Sequence, residues 1–251
     1  MRSKLSVITP TIAWFPRNVH AFSTTRIGGF SNVPYDGGNG HAGLNLGDHV
    51  GDDPHLVALN REILDTCLPS SIKFLSQLHG VNVADASDLE EGQVADACFT
   101  SKKNLVCAVL TADCLPVLFS NASGTVVAAA HAGWRGLALG VLQETVRVMR
   151  ESASDEIYAW LGPAIGPTKF EVGRDVLDAF SSLNASDCFI PTKMHGKYLA
   201  DIYSLAKLAM AEVGVFRIDG GEHCTFTERD RFFSYRRDRA TGRMASVIWM
   251  D

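Results

Sequence analysis

The stretch Thr125-Val-Val-Ala-Ala-Ala-His-Ala-Gly-Trp-Arg-Gly136 runs from a strand into a helix. Its residues through Ala130 are small or β-branched and carry no charge, the pattern of a strand covered on both faces. Behind Gly136, Leu137, Val141, Leu142, Thr145, Val146 and Met149 recur at helical spacing, with Gln143, Glu144, Arg147 and Arg150 on the opposite side. An amphipathic helix that covers a buried strand is the repeating unit of an α/β layer.

The same two periodicities recur outward from this stretch. Leu105-Val-Cys-Ala-Val-Leu110 is a second buried run, and Asn121-Ala-Ser-Gly124 is a turn lying between the two runs. Further strands are expected over 19–25, 72–78, 157–161, 218–226, 232–236 and 243–250, the last two joined by a turn at Ala240-Thr-Gly242. Helices are expected over 54–64, 174–183 and 202–213. Glycines crowd the stretch from Arg26-Ile-Gly-Gly-Phe-Ser31 through Pro34-Tyr-Asp-Gly-Gly-Asn-Gly-His-Ala-Gly43, which argues for a long functional loop without regular structure. No internal repeat and no low-complexity linker divides the chain. Its 251 residues suit one hydrophobic core, so the expectation is a single α/β domain over 1–251, a mixed β-sheet core flanked by helices.

An apolar fraction of 46% and a charged fraction of 20% are those of an ordinary globular protein. The net charge is -5, and the one basic concentration, Arg229, Arg231, Arg236, Arg237, Arg239 and Arg243, is interleaved with Glu228, Asp230 and Asp238. That mixture suits ion pairing or a small anion, and no nucleic-acid partner is expected. No apolar run reaches the roughly 18 residues of a membrane span, and the first ten residues are too polar for a secretory signal, so no membrane partner is expected. Six cysteines without a Cys-x-x-Cys pair fit a reducing cytoplasm.

Three residues stand where chemistry is favoured in α/β proteins. His131 ends a buried strand next to a helix N-terminus. Cys114 lies in Thr111-Ala-Asp-Cys-Leu-Pro116, just past another strand, whereas Cys107 lies inside its run and reads as a small core residue. His79, in Gln77-Leu-His-Gly80, follows the strand expected over 72–78. Each alone is equally a packing residue. Together, two imidazoles and a thiolate form a three-ligand set that leaves a metal, zinc above all, one open position. Their spacing matches no compact metal-binding motif. His41 and His49, with Asp36, Asp48, Asp52 and Asp53, read as solvated loop residues. Arg26, Arg135 and Arg236 sit beside small or turn-forming residues, where a guanidinium can grip an anion or simply form a surface ion pair.

The chain resembles the laccase-domain, or YfiH-type, family, also described as multicopper polyphenol oxidase-like and as peptidoglycan editing factor. The resemblance is carried by Thr24-Thr-Arg-Ile-Gly-Gly-Phe-Ser31, Gly43-Leu-Asn-Leu-Gly-Asp-His-Val-Gly-Asp52, Gln77-Leu-His-Gly80, Thr111-Ala-Asp-Cys-Leu-Pro116, His131-Ala-Gly-Trp-Arg-Gly136, Leu161-Gly-Pro-Ala-Ile-Gly-Pro167 and Phe233-Ser-Tyr-Arg-Arg-Asp238, in order along the chain. It implies a fold of the cytotoxic-necrotizing-factor-like type, metal ligands at His79, Cys114 and His131, and polar cleft residues at Arg26, Asn45, Asp113, Arg135 and Arg236. It further implies a zinc enzyme whose partners are a nucleoside and phosphate: phosphorolysis of adenosine, inosine and methylthioadenosine, with deamination of adenosine. In that deamination Asp113 would shuttle protons. Copper-dependent phenol oxidation and a peptidoglycan-precursor hydrolase using a Cys114/His131 pair are the alternatives that the resemblance brings. Multicopper chemistry needs many histidines, commonly as His-x-His, and none of the eight here is so paired.

Overall fold

A computed structural model describes residues 5–11 and 15–251. In chain order the elements are β1 (Val7–Ile8), β2 (Val19–Thr24), β3 (Ile27–Ser31), α1 (Pro54–Asp65), β4 (Val83–Asp85), β5 (Ala97–Thr100), β6 (Cys107–Thr111), β7 (Leu115–Asn121) and β8 (Val127–Ala132). There follow α2 (Trp134–Leu139), α3 (Val141–Ser152), β9 (Ile157–Leu161), β10 (Glu171–Gly173), α4 (Arg174–Ala179), β11 (Phe189–Pro191), β12 (Lys197–Ala200), α5 (Ile202–Glu212), β13 (Arg217–Gly220), α6 (Tyr235–Asp238) and β14 (Met244–Met250).

A six-stranded sheet in the order β13-β9-β7-β8-β5-β4 packs on a four-stranded sheet in the order β1-β2-β14-β6. The first is mixed, with β13 parallel to β9 and β4 parallel to β5, and the second is antiparallel. Alternation along each strand decides the layers. Val117, Phe119, Ala128 and Ala130 point to α2, α3 and α5, while Leu118, Val127 and Ala129 meet Cys107, Val109 and Ile248 of the other sheet. The outer face of the four-stranded sheet is covered by α1 together with Leu44, Leu46 and Phe74. The result is helix, sheet, sheet, helix, the mixed α/β architecture expected from the sequence. Among the described residues no helix is long and apolar enough to cross a membrane.

Four expected elements differ. The helix after Gly136 is two helices, because Gly140 takes a left-handed φ of 98° that closes α2 and starts α3. Residues 72–78 are extended but form only an isolated bridge, Ser76 to Val94. There the Gln77 amide does the work of a strand, donating to the Leu110 carbonyl at 2.8 Å and accepting from the Leu110 N–H at 2.7 Å on the open edge of β6. Residues 232–236 lead into α6, where the Ser234 hydroxyl accepts from the Arg237 N–H, so no hairpin to β14 forms. The strand expected over 218–226 ends at Gly220. The strands β5 and β7 and the short β1, β4, β10, β11 and β12 were not expected, and part of the glycine-rich loop is ordered as β3, which bridges to Gly43.

Candidate metal centre and its cavity

Strand register brings the three expected ligands together. β7 and β8 are antiparallel with Pro116 opposite His131, so Cys114, at the entry to β7, lies beside the end of β8. β5 pairs on the other side of β8 with Ala97 opposite Ala130, which places Asp96 next to His131. His79 arrives from the 72–80 segment in a left-handed conformation, φ 62°. One ligand atom from each of His79, Cys114 and His131 falls within 4.8 Å of the others, and Cys114 Sγ lies 3.6 Å from His79 Nε2. The two imidazoles meet edge to face, ring centroids 4.8 Å apart.

Asp96 holds this arrangement. Its carboxylate accepts from the backbone N–H groups of Leu78 (3.2 Å), His79 (2.9 Å) and Gly80 (2.6 Å) and from His131 Nδ1 (2.8 Å). An ionised carboxylate only accepts, so Nδ1 carries the proton and His131 Nε2 is left for a metal. Burial pushes the Asp96 carboxyl up, and the bonds from His131, Gly80 and His79 outweigh it, so its pKa lies below the ordinary value. Burial likewise pushes the Cys114 thiol up, but the charge and hydrogen bonding of His131 and His79 carry it down. Burial lowers His131, and Cys114 and Asp96 together raise it. Both shifts run in the direction that favours a thiolate beside an imidazolium. One sulfur and two nitrogen donors, one imidazole oriented by a carboxylate, fit zinc or copper.

Glycine makes room for it. A Cβ on Gly133 would run into the His79 ring, 3.0 Å from Nε2, and would come to 3.1 Å from Cys114 Sγ. A Cβ on Gly136 would meet the Gly80 carbonyl at 2.8 Å. The glycines of His131-Ala-Gly-Trp-Arg-Gly136 thus let α2 seat directly under the His79 turn.

The ligands line a cavity of about 670 Å³, with Phe74, Leu75 and Leu78 as an apolar wall, Tyr235 and Arg243 on another side and Asp48 and His49 also in its lining. The expected polar residues are placed differently. Asp113 (φ 89°) accepts from Thr225 Oγ1 and from the Arg236 N–H, both at 2.6 Å, tying α6 to the ligand loop. Arg26 is buried, its guanidinium bonded to the Asp36 and Arg229 carbonyls, and it lines a separate cavity of about 440 Å³. Arg135 is exposed on α2 and stacks on Trp134. Arg236 donates to the Glu171 carbonyl and covers Phe170. Asn45 is fully buried, and its amide bonds Gly47, Asp52 and the Arg243 N–H. The sequence reading missed Asp96, Gln77 and, as a cavity residue, Arg243. Asp96 and Gln77 carry no local signal, because sheet register and an edge contact give them their roles.

Known proteins share this frame. A protein from Escherichia coli strain K12 named purine nucleoside phosphorylase YfiH is 53% identical over 241 residues, 94% of this chain and 95% of that one. A Haemophilus influenzae protein named purine nucleoside phosphorylase is 48% identical, over 94% and 96% of the two chains. The crystal structure of a Neisseria meningitidis protein superposes with a TM-score of 0.89 at 48% identity, covering 98% of this chain and 99% of that one. A Bacillus licheniformis hypothetical protein YfiH gives 0.87 at 30% identity, covering 100% and 98%. The family model described as multi-copper polyphenol oxidoreductase laccase matches residues 20–251, every element from β3 to β14 and all three candidate ligands, and the chain belongs to that laccase-like YfiH family.

Proposed function

We propose that this chain cleaves purine nucleosides by phosphorolysis, with a zinc ion held by His79, Cys114 and His131. The observation that carries the proposal is the open ligand set: two imidazoles and a thiolate that line one cavity together with the apolar Phe74, Leu75 and Leu78. Three nitrogen and sulfur ligands leave a tetrahedral zinc one exchangeable position. Zinc there would supply a Lewis acid able to polarise an oxygen of the reactants.

The chain's own residues do the rest. Asp96 keeps His131 from turning and pins the His79 backbone, so the donors are aligned before any ligand arrives. Phe74, Leu75 and Leu78 offer the apolar surface on which a purine rests. The printed names of the Escherichia coli and Haemophilus influenzae relatives support this substrate class. Adenosine deamination is part of the proposal, because the same cavity can present C6 of the base to the ligand set. The family description points to copper and phenols. Multicopper oxidation distributes electrons over several metal ions, and among the described residues this is the one convergent group of His, Cys, Asp and Glu side chains.

One observation favours a second reading. Asp96, His131 and Cys114 stand in the order of a thiol hydrolase's orienting acid, base and nucleophile. Incubation with adenosine and phosphate, with and without chelator or iodoacetamide, separates the two when products are resolved by chromatography. Adenine with ribose 1-phosphate, lost on chelation, is the expected result, and inosine reports deamination. Activity that survives chelation but not iodoacetamide supports the hydrolase. Absence of both adenine and inosine overturns the purine reading.

A further inference from the structure

The Arg243 side chain lines the ligand cavity, its guanidinium 5.8 Å from the Tyr235 ring centroid. Its backbone N–H is fixed by Asn45 Oδ1 at 2.8 Å, and its side-chain stem lies against Gly47, where a Cβ would come to 2.8 Å from Arg243 Cγ. Nη1 donates to the carbonyls of Thr241 (3.0 Å) and Gly242 (3.2 Å). Among the described residues no carboxylate forms an ion pair with this guanidinium, and Nε and Nη2 have no protein acceptor. Burial lowers its pKa while the charges of Cys114 and Asp113 oppose the shift, and Cys114 lines the same cavity.

Arg243 is half-buried, and its stem is held by Gly47 and Asn45, so its two free donors open to the cavity in a fixed place. Two adjacent unused N–H donors form a fork that matches two oxygens of a tetrahedral oxyanion. The other candidate arginines do not line this cavity: Arg26 has its donors on carbonyls and lines a separate one, Arg236 reaches the Glu171 carbonyl over Phe170, and Arg135 is exposed on α2. We propose that Arg243 holds the inorganic phosphate that attacks the nucleoside, with Asn45 as its positioning residue. This rests on the phosphorolysis reading. In that step a phosphate oxygen forms the bond to C1′, the C1′–N9 bond breaks with its electron pair leaving on the purine, and the proton of hydrogen phosphate ends on the base. Oxygen, nitrogen and charge balance without an oxidant.

The test compares wild type, Arg243→Gln and Arg243→Lys in inosine cleavage with phosphate titrated, and measures inorganic phosphate binding by calorimetry on the same metal-loaded preparations. The expected result is a KM for phosphate raised about 10- to 100-fold in Arg243→Gln, the loss of one or two charge-assisted hydrogen bonds, with partial recovery in Arg243→Lys. The KM for inosine and the metal content stay within about twofold, as for a residue that touches neither. An unchanged phosphate KM, or a raised inosine KM alone, overturns the assignment. If wild type shows no phosphate-dependent cleavage, the phosphorolysis reading fails. Calorimetry then decides Arg243 as an anion site: binding lost in Arg243→Gln supports it, and equal binding in all three proteins overturns it.

Discussion

Asp96 is the residue on which both histidines depend, although it donates nothing to the ligand set itself. Replacing one of its oxygens by an amide removes an acceptor for Gly80 or His131 and reverses the polarity facing a backbone N–H. Asp96→Asn is expected to weaken metal affinity about 10- to 100-fold, read by competition with a chromophoric chelator; unchanged affinity would mean that the ligands are aligned without it. Gly133→Ala should act more severely, since its methyl group would occupy the place of the His79 ring. The expected outcome is a folded protein by circular dichroism that retains little metal, and full metal content would show that the His79 turn can move aside. His79, Cys114 and His131 were legible in the sequence as residues at element ends beside glycine. Asp96 was not, because Ala95-Asp-Ala97 looks like any strand entry and its function arises from the pairing of β5 with β8. Arg243 was visible as part of a basic cluster, but only the fold separates it from its neighbours.

At the level of elements, α1 organises the glycine-rich segment. Asn60, fully buried on α1, accepts from the Phe30 N–H and donates to Ser31 Oγ and the Asn45 carbonyl, so one side chain spans three parts of residues 27–45. Gly29 lies so close to Leu44 that a Cβ there would meet its Cα at 2.6 Å. Asn60→Ala leaves these buried groups unsatisfied, at a cost of about 1–3 kcal/mol. Hydrogen exchange should show faster opening of 27–53 than of β7 and β8, and uniform protection would contradict this dependence. The glycine pattern correctly marked a tight, specialised segment, yet it concealed β3, whose pairing to Gly43 is set from outside by α1. The expected strand at 72–78 failed for a related reason: Gln77 satisfies the β6 edge with its side chain, which periodicity does not register. The break at Gly140 was readable in principle, since glycine is the residue that ends helices in the left-handed conformation.

Across the whole molecule, the centre draws on both sheets at once. Cys114 sits where the chain crosses from β6 in the four-stranded sheet to β7 in the six-stranded one, His131 ends β8, and His79 is pinned to the β6 edge through Gln77. A metal bound there joins segments that unfold apart, so chelation should lower the thermal midpoint, by the linkage of ligand binding to the native state. An identical midpoint with and without chelator would mean that no ion bridges them. The unbroken apolar runs made the mixed α/β class legible, because strands covered on both faces require layers on either side. Pairing two sheets back to back was not legible, since Pro116 inside the β7 run argues against a strand and β5 is only four residues long. Phe119, fully buried under the helices, is the test of that core: Phe119→Ala should cost about 3–5 kcal/mol in denaturant unfolding. A loss below about 1 kcal/mol would place it outside a close-packed core.

The most direct measurement follows phosphorus by NMR while the metal-quantified protein is incubated with inosine and inorganic phosphate. The account predicts a ribose 1-phosphate resonance that grows with wild type and is abolished both by chelation and by Cys114→Ala. A resonance that grows at an undiminished rate in the Cys114→Ala protein, or none at all with metal-loaded wild type, would contradict it.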